Sequence, residues 1–157
     1  MSPVSRRQFL VGGAVAGTGL VLALYLPHHG LHPFAEHEFA PNAYLHIAPD
    51  GRITVVVARS EMGQGVRTSL PMILAEELDA DWSQISIQQA GASTLFGDQS
   101  TGGSASVRTT WDPMRQAGAA AREMLVTAAA QQWSVSAAES TTDKGLVLHA
   151  ASNRRAN

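Results

Sequence analysis

The chain contains no cysteine. A disulfide framework, a zinc–thiolate site and a protein-ligated iron–sulfur cluster are therefore excluded within this chain. An excess of charge of one sign is also lacking, since the formal net charge is −2, so charge alone does not indicate a nucleic-acid partner. The Gly-Lys-Ser/Thr of a Walker loop and the Gly-x-Gly-x-x-Gly of a dinucleotide fold are both missing. No acid–base pair can be identified. His28, His29, His32 and His37 could bind a metal, but no rigid framework for such ligands is evident, so a solvated linker is the preferred interpretation.

The apolar content is ordinary. Hydrophobic residues make up 45% of the 157 residues, which argues against disorder. A chain of this length can form one domain with its own hydrophobic core.

The N-terminus carries a targeting pattern. Residues 5–10 read Ser-Arg-Arg-Gln-Phe-Leu, and residues 9–26 are uncharged and contain four glycines. We interpret residues 1–26 as a twin-arginine signal that directs the protein to the periplasm or to the periplasmic face of the inner membrane. The alternative is an uncleaved membrane anchor, because 18 helical residues just span a bilayer. The twin-arginine route carries folded proteins, which favours a protein that receives a complex redox cofactor before export.

Several short runs predict β-strands. Residues 43–48 and 52–58 flank Pro49-Asp50-Gly51, which predicts a hairpin. Residues 53–57 are almost all β-branched, so this strand is expected to be buried on both faces. Residues 84–88 alternate polar and apolar side chains and predict a half-buried strand. A further short strand is predicted at residues 145–149.

Two helices are predicted. The first covers residues 66–78, with Thr68 as its cap and Pro71 in its first turn. The second covers residues 111–132 and begins after a cap formed by Asp112-Pro113. The alternative is a start near Ser104 with a bend at Pro113. The buried stripe of this helix is predicted to consist of Met114, Ala117, Gly118, Ala121, Met124, Leu125 and Ala128.

A glycine-bearing loop precedes each predicted helix: Glu61-Met62-Gly63-Gln64-Gly65 and Thr101–Ser106. Glycine lets the backbone approach a ligand closely, and a helix start offers free N–H groups to an anion or an oxo group. The second loop adds hydroxyl groups, which suits a phosphate or pyrophosphate. The alternative is that both are ordinary turns or flexible loops. Glu61 itself is interpreted as part of a solvated helix end.

Residues 42–133 resemble the molybdopterin-binding subunit of the xanthine dehydrogenase/aldehyde oxidase family, in particular the isoquinoline 1-oxidoreductase beta subunit type. The matching stretches are SEMGQGVRTSLPMILAEEL at 60–78, TGGSASVRTTWDPMRQAGAAAREML at 101–125 and AAAQQW at 128–133. Three motifs in one order with fitting gaps are specific. The export signal fits this resemblance, because molybdenum cofactor is loaded in the cytoplasm.

The resemblance implies roles for individual residues. Gln64 aligns with the family glutamine that hydrogen-bonds an oxo ligand of molybdenum, and Gly63 and Gly65 allow that approach. The implied cofactor is molybdenum–molybdopterin cytosine dinucleotide, which the fragment alone is not expected to retain. The residues implied to hold the pterin and its phosphates are Gly102, Gly103, Ser104 and Ser106.

The resemblance also implies a reaction and partners. Family members hydroxylate an aldehyde or an N-heterocycle with oxygen from water, using a glutamate base from a later segment. The implied partners are an iron–sulfur electron-transfer subunit, a cytochrome c subunit and the remainder of the large subunit. Family subunits are several times longer than this chain, so we interpret it as a fragment that is inactive alone.

These observations predict an α+β fold in which a β-hairpin and further strands pack with two main helices. This would be the N-terminal part of a molybdenum-cofactor-binding domain. The predicted divisions are the signal or anchor (1–26), a linker rich in His and Pro (27–41), the partial cofactor domain (42–133) and the truncated start of a next segment (134–157). Two other interpretations are an exported non-catalytic module that binds a partner subunit or an anionic ligand, and a membrane-anchored structural protein.

Overall fold

The computed structural model describes residues 44–157. The predicted signal (1–26) and linker (27–41) lie outside the described residues. The elements in chain order are β1 (Leu45–Ile47), β2 (Ile53–Val57), α1 (Val66–Leu78), β3 (Ile85–Gln89), α2 (Ala105–Trp133), β4 (Thr141–Asp143), β5 (Leu146–His149) and β6 (Arg154–Ala156). The predicted α+β class is therefore confirmed.

The first sheet has the order β1-β2-β3. β1 and β2 form the predicted antiparallel hairpin, and the N–H of Gly51 closes its turn on the carbonyl of Ala48 at 2.9 Å. β2 and β3 are parallel, with α1 as the crossover between them. Because β2 is the central strand, four of its five residues are buried, as the β-branched run predicts. β3 is half-buried, as its alternation predicts.

Helix α1 has the predicted bounds, but two predicted details are wrong. Gly65, in the left-handed conformation at φ 80°, is the residue before the helix, and Thr68 lies inside the first turn. Pro71 is the sixth helical residue and is fully buried. A proline in a helix interior lacks the N–H for one helical hydrogen bond. Its burial in the core provides the compensating packing.

Helix α2 begins at Ala105, so the alternative start near Ser104 is correct and the cap at Asp112-Pro113 is wrong. Pro113 lies inside the helix at an exposed position. The turns before it remain helical because buried side chains recur every fourth residue through the proline, at Ser106, Thr110 and Met114.

The core lies where α1 packs on both the sheet and α2. Gly118 of α2 lies against α1, and a Cβ placed there would be 2.4 Å from the carbonyl oxygen of Leu74. The burial predicted for one face of α2 is observed as far as Leu125. Beyond it, Ala128 is exposed, and Ala129 and Ala130 are buried instead. The shift follows from the drift of a 3.6-residue period along a helix of 29 residues.

The residues after α2 form a second, antiparallel sheet of order β4-β5-β6. The strand predicted at 145–149 is β5, while β4 and β6 were not predicted because they are short and mostly polar. The N–H of Gly145 donates to the carbonyl of Asp79 at 2.6 Å, so the hairpin β4–β5 is attached to the end of α1.

Neither of the two helices within residues 44–157 combines the length and apolar character needed to cross a bilayer.

Candidate functional site

The segment Ser60–Gly65, called here the Gln64 loop, connects β2 to α1 and is held by the side chain of Glu61. One carboxylate oxygen of Glu61 accepts hydrogen bonds from the N–H groups of Gly63 at 2.7 Å and Gly65 at 3.0 Å. The other accepts from the N–H of Arg67, in the first turn of α1, at 2.9 Å. Glu61 therefore closes the N-terminus of α1.

The hydrogen bonds from Arg67 and Gly65, with a smaller contribution from Gly63, lower the pKa of Glu61 below its usual value. The expectation of free N–H groups at this helix start is wrong, because the chain's own carboxylate occupies them. Glu61 is exposed, as its interpretation as a solvated acidic residue requires, and its carboxylate also caps the helix. The sequence signal for this cap was only general, namely an acidic residue shortly before a helix N-terminus.

The amide of Gln64 is oriented by two backbone groups of the same loop. Its Oε1 accepts from the N–H of Met62 at 2.6 Å, and its Nε2 donates to the carbonyl of Ser60 at 2.8 Å. An amide nitrogen carries two N–H groups, so one donor of Nε2 is left for a ligand. Gln64 is exposed and neutral.

Residues Thr101–Ser104, called here the Gly–Ser loop, lead into α2. Gly103 and Ser104 both have φ 55°, so the chain enters the helix through two left-handed residues. No side chain caps this helix start. Ser106 is in the first turn and is buried, and its carbonyl accepts from the hydroxyl of Thr110. The side chain of Ser106 is thus on the inner face of α2, while Gly102, Gly103 and Ser104 are exposed.

The two loops meet at Ser60. The hydroxyl of Thr101 accepts from the N–H of Ser60 at 2.9 Å and donates to its carbonyl at 3.1 Å. The same carbonyl accepts from Gln64, so one backbone group joins the Gln64 amide to the Gly–Ser loop. The structure therefore brings together the two segments that the sequence analysis identified separately.

Arg59 is a site residue that the sequence analysis missed. It lies two residues after the end of β2 and is only 4% exposed. Its guanidinium donates to Asp98 at 3.2 Å, to the carbonyl of Ser100, and to the hydroxyl of Thr109 at 2.8 Å. The hydrogen bonds from Ser100, together with Arg59, lower the pKa of Asp98 to about 2. No local signal in the sequence marks it, because an arginine near a strand end is usually solvated.

The segment between β3 and the Gly–Ser loop is also ordered by its own side chains. The amide of Gln99 accepts from the N–H of Ser93 at 2.9 Å and donates to the carbonyl of Gly91 at 3.0 Å. Tyr44 of the hairpin and Phe96 of this segment have ring centroids 5.7 Å apart. The segment is therefore folded by its own hydrogen bonds and contacts the hairpin through the ring of Phe96.

The space in front of both loops is open. A Cβ added at any of four glycines would meet no neighbouring atom within 4 Å: Gly63, Gly65, Gly102 and Gly103. An uncapped helix N-terminus with exposed hydroxyl and backbone N–H groups beside it suits a phosphate. A neutral amide donor suits a metal-bound oxo group, because it adds no charge. The residues present therefore offer a neutral amide donor and an uncapped helix N-terminus side by side, and these groups fit a ligand that carries an oxo group and phosphates.

The sequence matches the family described as the molybdopterin cofactor-binding domain over residues 5–156. It is 44% identical over 124 residues to the beta subunit of isoquinoline 1-oxidoreductase from Brevundimonas diminuta, covering 74% of this chain and 16% of that protein. It is 41% identical over 128 residues to the membrane-bound aldehyde dehydrogenase (pyrroloquinoline-quinone) of Gluconacetobacter polyoxogenes, covering 78% of this chain and 17% of that protein. The chain thus spans about a sixth of the length of these relatives.

Among solved structures, the fold resembles quinoline 2-oxidoreductase from Pseudomonas putida 86, with a TM-score of 0.52 and 24% sequence identity. The likeness covers 68% of this chain and 13% of that one. These similarities confirm the family resemblance that the motifs at 60–78 and 101–133 indicate.

Proposed function

Because the chain belongs to the molybdopterin cofactor-binding domain family, we propose that it forms one part of the cofactor cradle in the large subunit of a molybdenum hydroxylase. The observation that carries the proposal is the junction at Ser60, where the Gln64 amide and the Gly–Ser loop share one carbonyl acceptor. At this junction a neutral amide donor lies beside an uncapped helix start, which supports the proposal.

Gln64 acts as the donor to the metal's oxo ligand. Its Oε1 is fixed on the N–H of Met62 and one N–H of Nε2 on Ser60, so the remaining N–H has a defined direction. A preoriented donor stabilises charge that develops on an oxygen atom during a reaction without reorganising first. Gly63 and Gly65 leave the approach to this amide clear.

The Gly–Ser loop binds the phosphates of a molybdopterin cytosine dinucleotide. Gly102 and Gly103 present backbone without side-chain bulk, and Ser104 adds a hydroxyl. Ser106 contributes the backbone N–H of the first helical turn, because its side chain is buried. When bound, the cofactor supplies oxidation of an aldehyde or an N-heterocycle with oxygen from water.

The remaining parts of the proposal concern the whole protein. The catalytic base and the other cradle walls come from the rest of the large subunit, and the isolated chain is inactive. Electrons pass to an iron–sulfur subunit and on to a cytochrome c subunit. The similarity to the beta subunit of isoquinoline 1-oxidoreductase supports a multi-subunit assembly. Residues 1–26 direct the folded protein to the periplasm. In a variant of this proposal, residues 9–26 also attach the protein to the inner membrane.

The proposal is tested by Gln64→Ala in the intact protein that carries this chain. Turnover of isoquinoline, quinoline and an aliphatic aldehyde is measured with a dye as electron acceptor. We expect kcat to fall about 100-fold, the size typical for the loss of one oxyanion donor, while molybdenum content is largely kept. Met62→Leu is the matched control, because Met62 is in the same loop and is 70% exposed.

An unchanged kcat in Gln64→Ala would contradict the role of Gln64. An intact protein that lacks molybdenum but binds inorganic phosphate would favour the non-catalytic, anion-binding module instead.

A further inference from the structure

The side chain of Arg59 contacts three separate positions around the Gly–Ser loop. Two of these, Asp98 and the carbonyl of Ser100, lie just before the loop, and the third, Thr109, lies just after it in α2. The Gly–Ser loop is therefore held at both of its ends by one guanidinium group.

The backbone of the same residue belongs to the other loop. The carbonyl of Arg59 accepts from the side-chain amide of Gln89, at the end of β3, at 3.3 Å. The next residue, Ser60, exchanges two hydrogen bonds with Thr101 and accepts one from Gln64. The backbone of Arg59 thus leads into the Gln64 loop, and its side chain holds the Gly–Ser loop. Both loops are therefore attached near the end of β2.

The burial of Arg59 is not explained by ion pairing alone. Its side chain is 4% exposed, whereas the side chain of Asp98 is 66% exposed. Burial of a guanidinium is costly unless its donors are used. Here Nη1 and Nη2 of the planar group reach three acceptors, whereas Nε is buried without a hydrogen-bond partner among the described residues.

We propose that Arg59 is a positioning residue for the cofactor site: it sets the placement of the Gly–Ser loop and the first turn of α2 relative to the Gln64 amide. This inference rests on the proposed function for its consequence, since a change in that placement alters how a cofactor is held. The placement of the two loops, by contrast, depends only on residues of this chain.

The test uses the intact protein with Arg59→Met and Arg59→Lys. Hydrogen–deuterium exchange is followed separately for residues 98–104, for residues 60–65 and for the core of β2 and α1. We expect exchange in both loops to rise at least about 10-fold in Arg59→Met, with little change in the core amides. Arg59→Lys should restore part of the protection, because it keeps the charge but loses the fork. Arg52→Met is the control, since Arg52 is exposed at the opposite end of β2.

Two gentler variants keep the test decisive if Arg59→Met does not fold. Asp98→Ala and Thr109→Val each remove one acceptor at an exposed residue, and each should raise loop exchange less than Arg59→Met. Unchanged loop exchange in all foldable variants, or a uniform rise across the chain, would overturn the positioning role.

The consequence for the cofactor has its own readout. In Arg59→Lys we expect an altered Mo(V) electron paramagnetic resonance signal or faster loss of molybdenum on dialysis, relative to Arg52→Met. An identical signal and identical retention would overturn the link to the cofactor. If the unaltered protein holds no molybdenum, the proposed function fails, while the exchange data still decide whether Arg59 positions the loops.

Discussion

Two functional residues in the Gln64 loop have opposite tasks. Glu61 carries a charge and uses it on N–H groups of its own chain, at Gly63, Gly65 and Arg67. Gln64 carries no charge and keeps one donor available. The loop therefore presents a neutral donor because its anion is already engaged with the helix dipole of α1.

The cap by Glu61 predicts a pH-dependent stability. Its pKa is lowered in the folded state, so its stabilisation is present above the usual value of 4.5 and is lost as the pH falls through the folded value. We expect Glu61→Gln to lower the urea midpoint at pH 7 and to differ progressively less from the unaltered protein as the pH falls below about 4.5. Glu76→Gln, at an exposed site in the same helix, is the control. A midpoint difference that is the same at every pH would contradict the cap.

Arg59 shows what residue patterns do not reveal. The composition around it identified a buried strand, and an arginine after a strand is usually solvated. Its partners Asp98 and Thr109 are 39 and 50 residues away, so only the tertiary structure shows the network.

At the scale of elements, β2, α1 and β3 were each predicted from the sequence, but the parallel pairing of β2 with β3 was not, and the start of α2 agrees only with the alternative near Ser104. The Pro49-Asp50-Gly51 turn and the apolar spacing in residues 66–78 are local signals that agree with the fold. The Asp112-Pro113 pair is also a local start signal, but it is overridden because burial recurs every fourth residue across it. β4 and β6 have no apolar pattern and exist through pairing with β5.

The contact of α1 with α2 depends on the absence of a side chain at Gly118. A Cβ there would lie 2.4 Å from the carbonyl oxygen of Leu74 and 2.9 Å from the Cβ of Glu77. We expect Gly118→Ala to destabilise the protein by about 1–3 kcal/mol, even though alanine favours a helix. Gln116→Ala, at an exposed position of α2, should change stability by less than about 0.5 kcal/mol. A stabilised Gly118→Ala variant would show that the helices can separate at little cost.

At the scale of the molecule, the described residues hold two small sheets and two helices but only one side of a site. The two loops open outward from the first sheet, and their glycines have no neighbours within 4 Å. The relatives are about six times longer than the stretch that this chain matches. The motifs were sufficient to predict the family, because they are local features of the sequence, whereas the role of the two loops in a site stays a prediction. The opposing walls cannot be derived from them.

This arrangement predicts that the isolated chain does not retain the cofactor. One wall leaves the ligand exposed, so most of the binding energy is missing. We expect the purified 157-residue chain to contain no molybdenum by metal analysis, even when it is produced in cells that make the cofactor. Retained molybdenum after dialysis would show that this segment suffices for binding.

The central claim is that this chain contributes to a molybdopterin site, and the cofactor content of the intact protein tests it most directly. The protein is purified, and molybdenum, cytidine nucleotide and pyrroloquinoline quinone are measured after acid release. The account predicts equimolar molybdenum and cytidine nucleotide, and a lower molybdenum content when Gly103→Val blocks the Gly–Ser loop. Pyrroloquinoline quinone without molybdenum, or no cofactor in a folded intact protein, would contradict it.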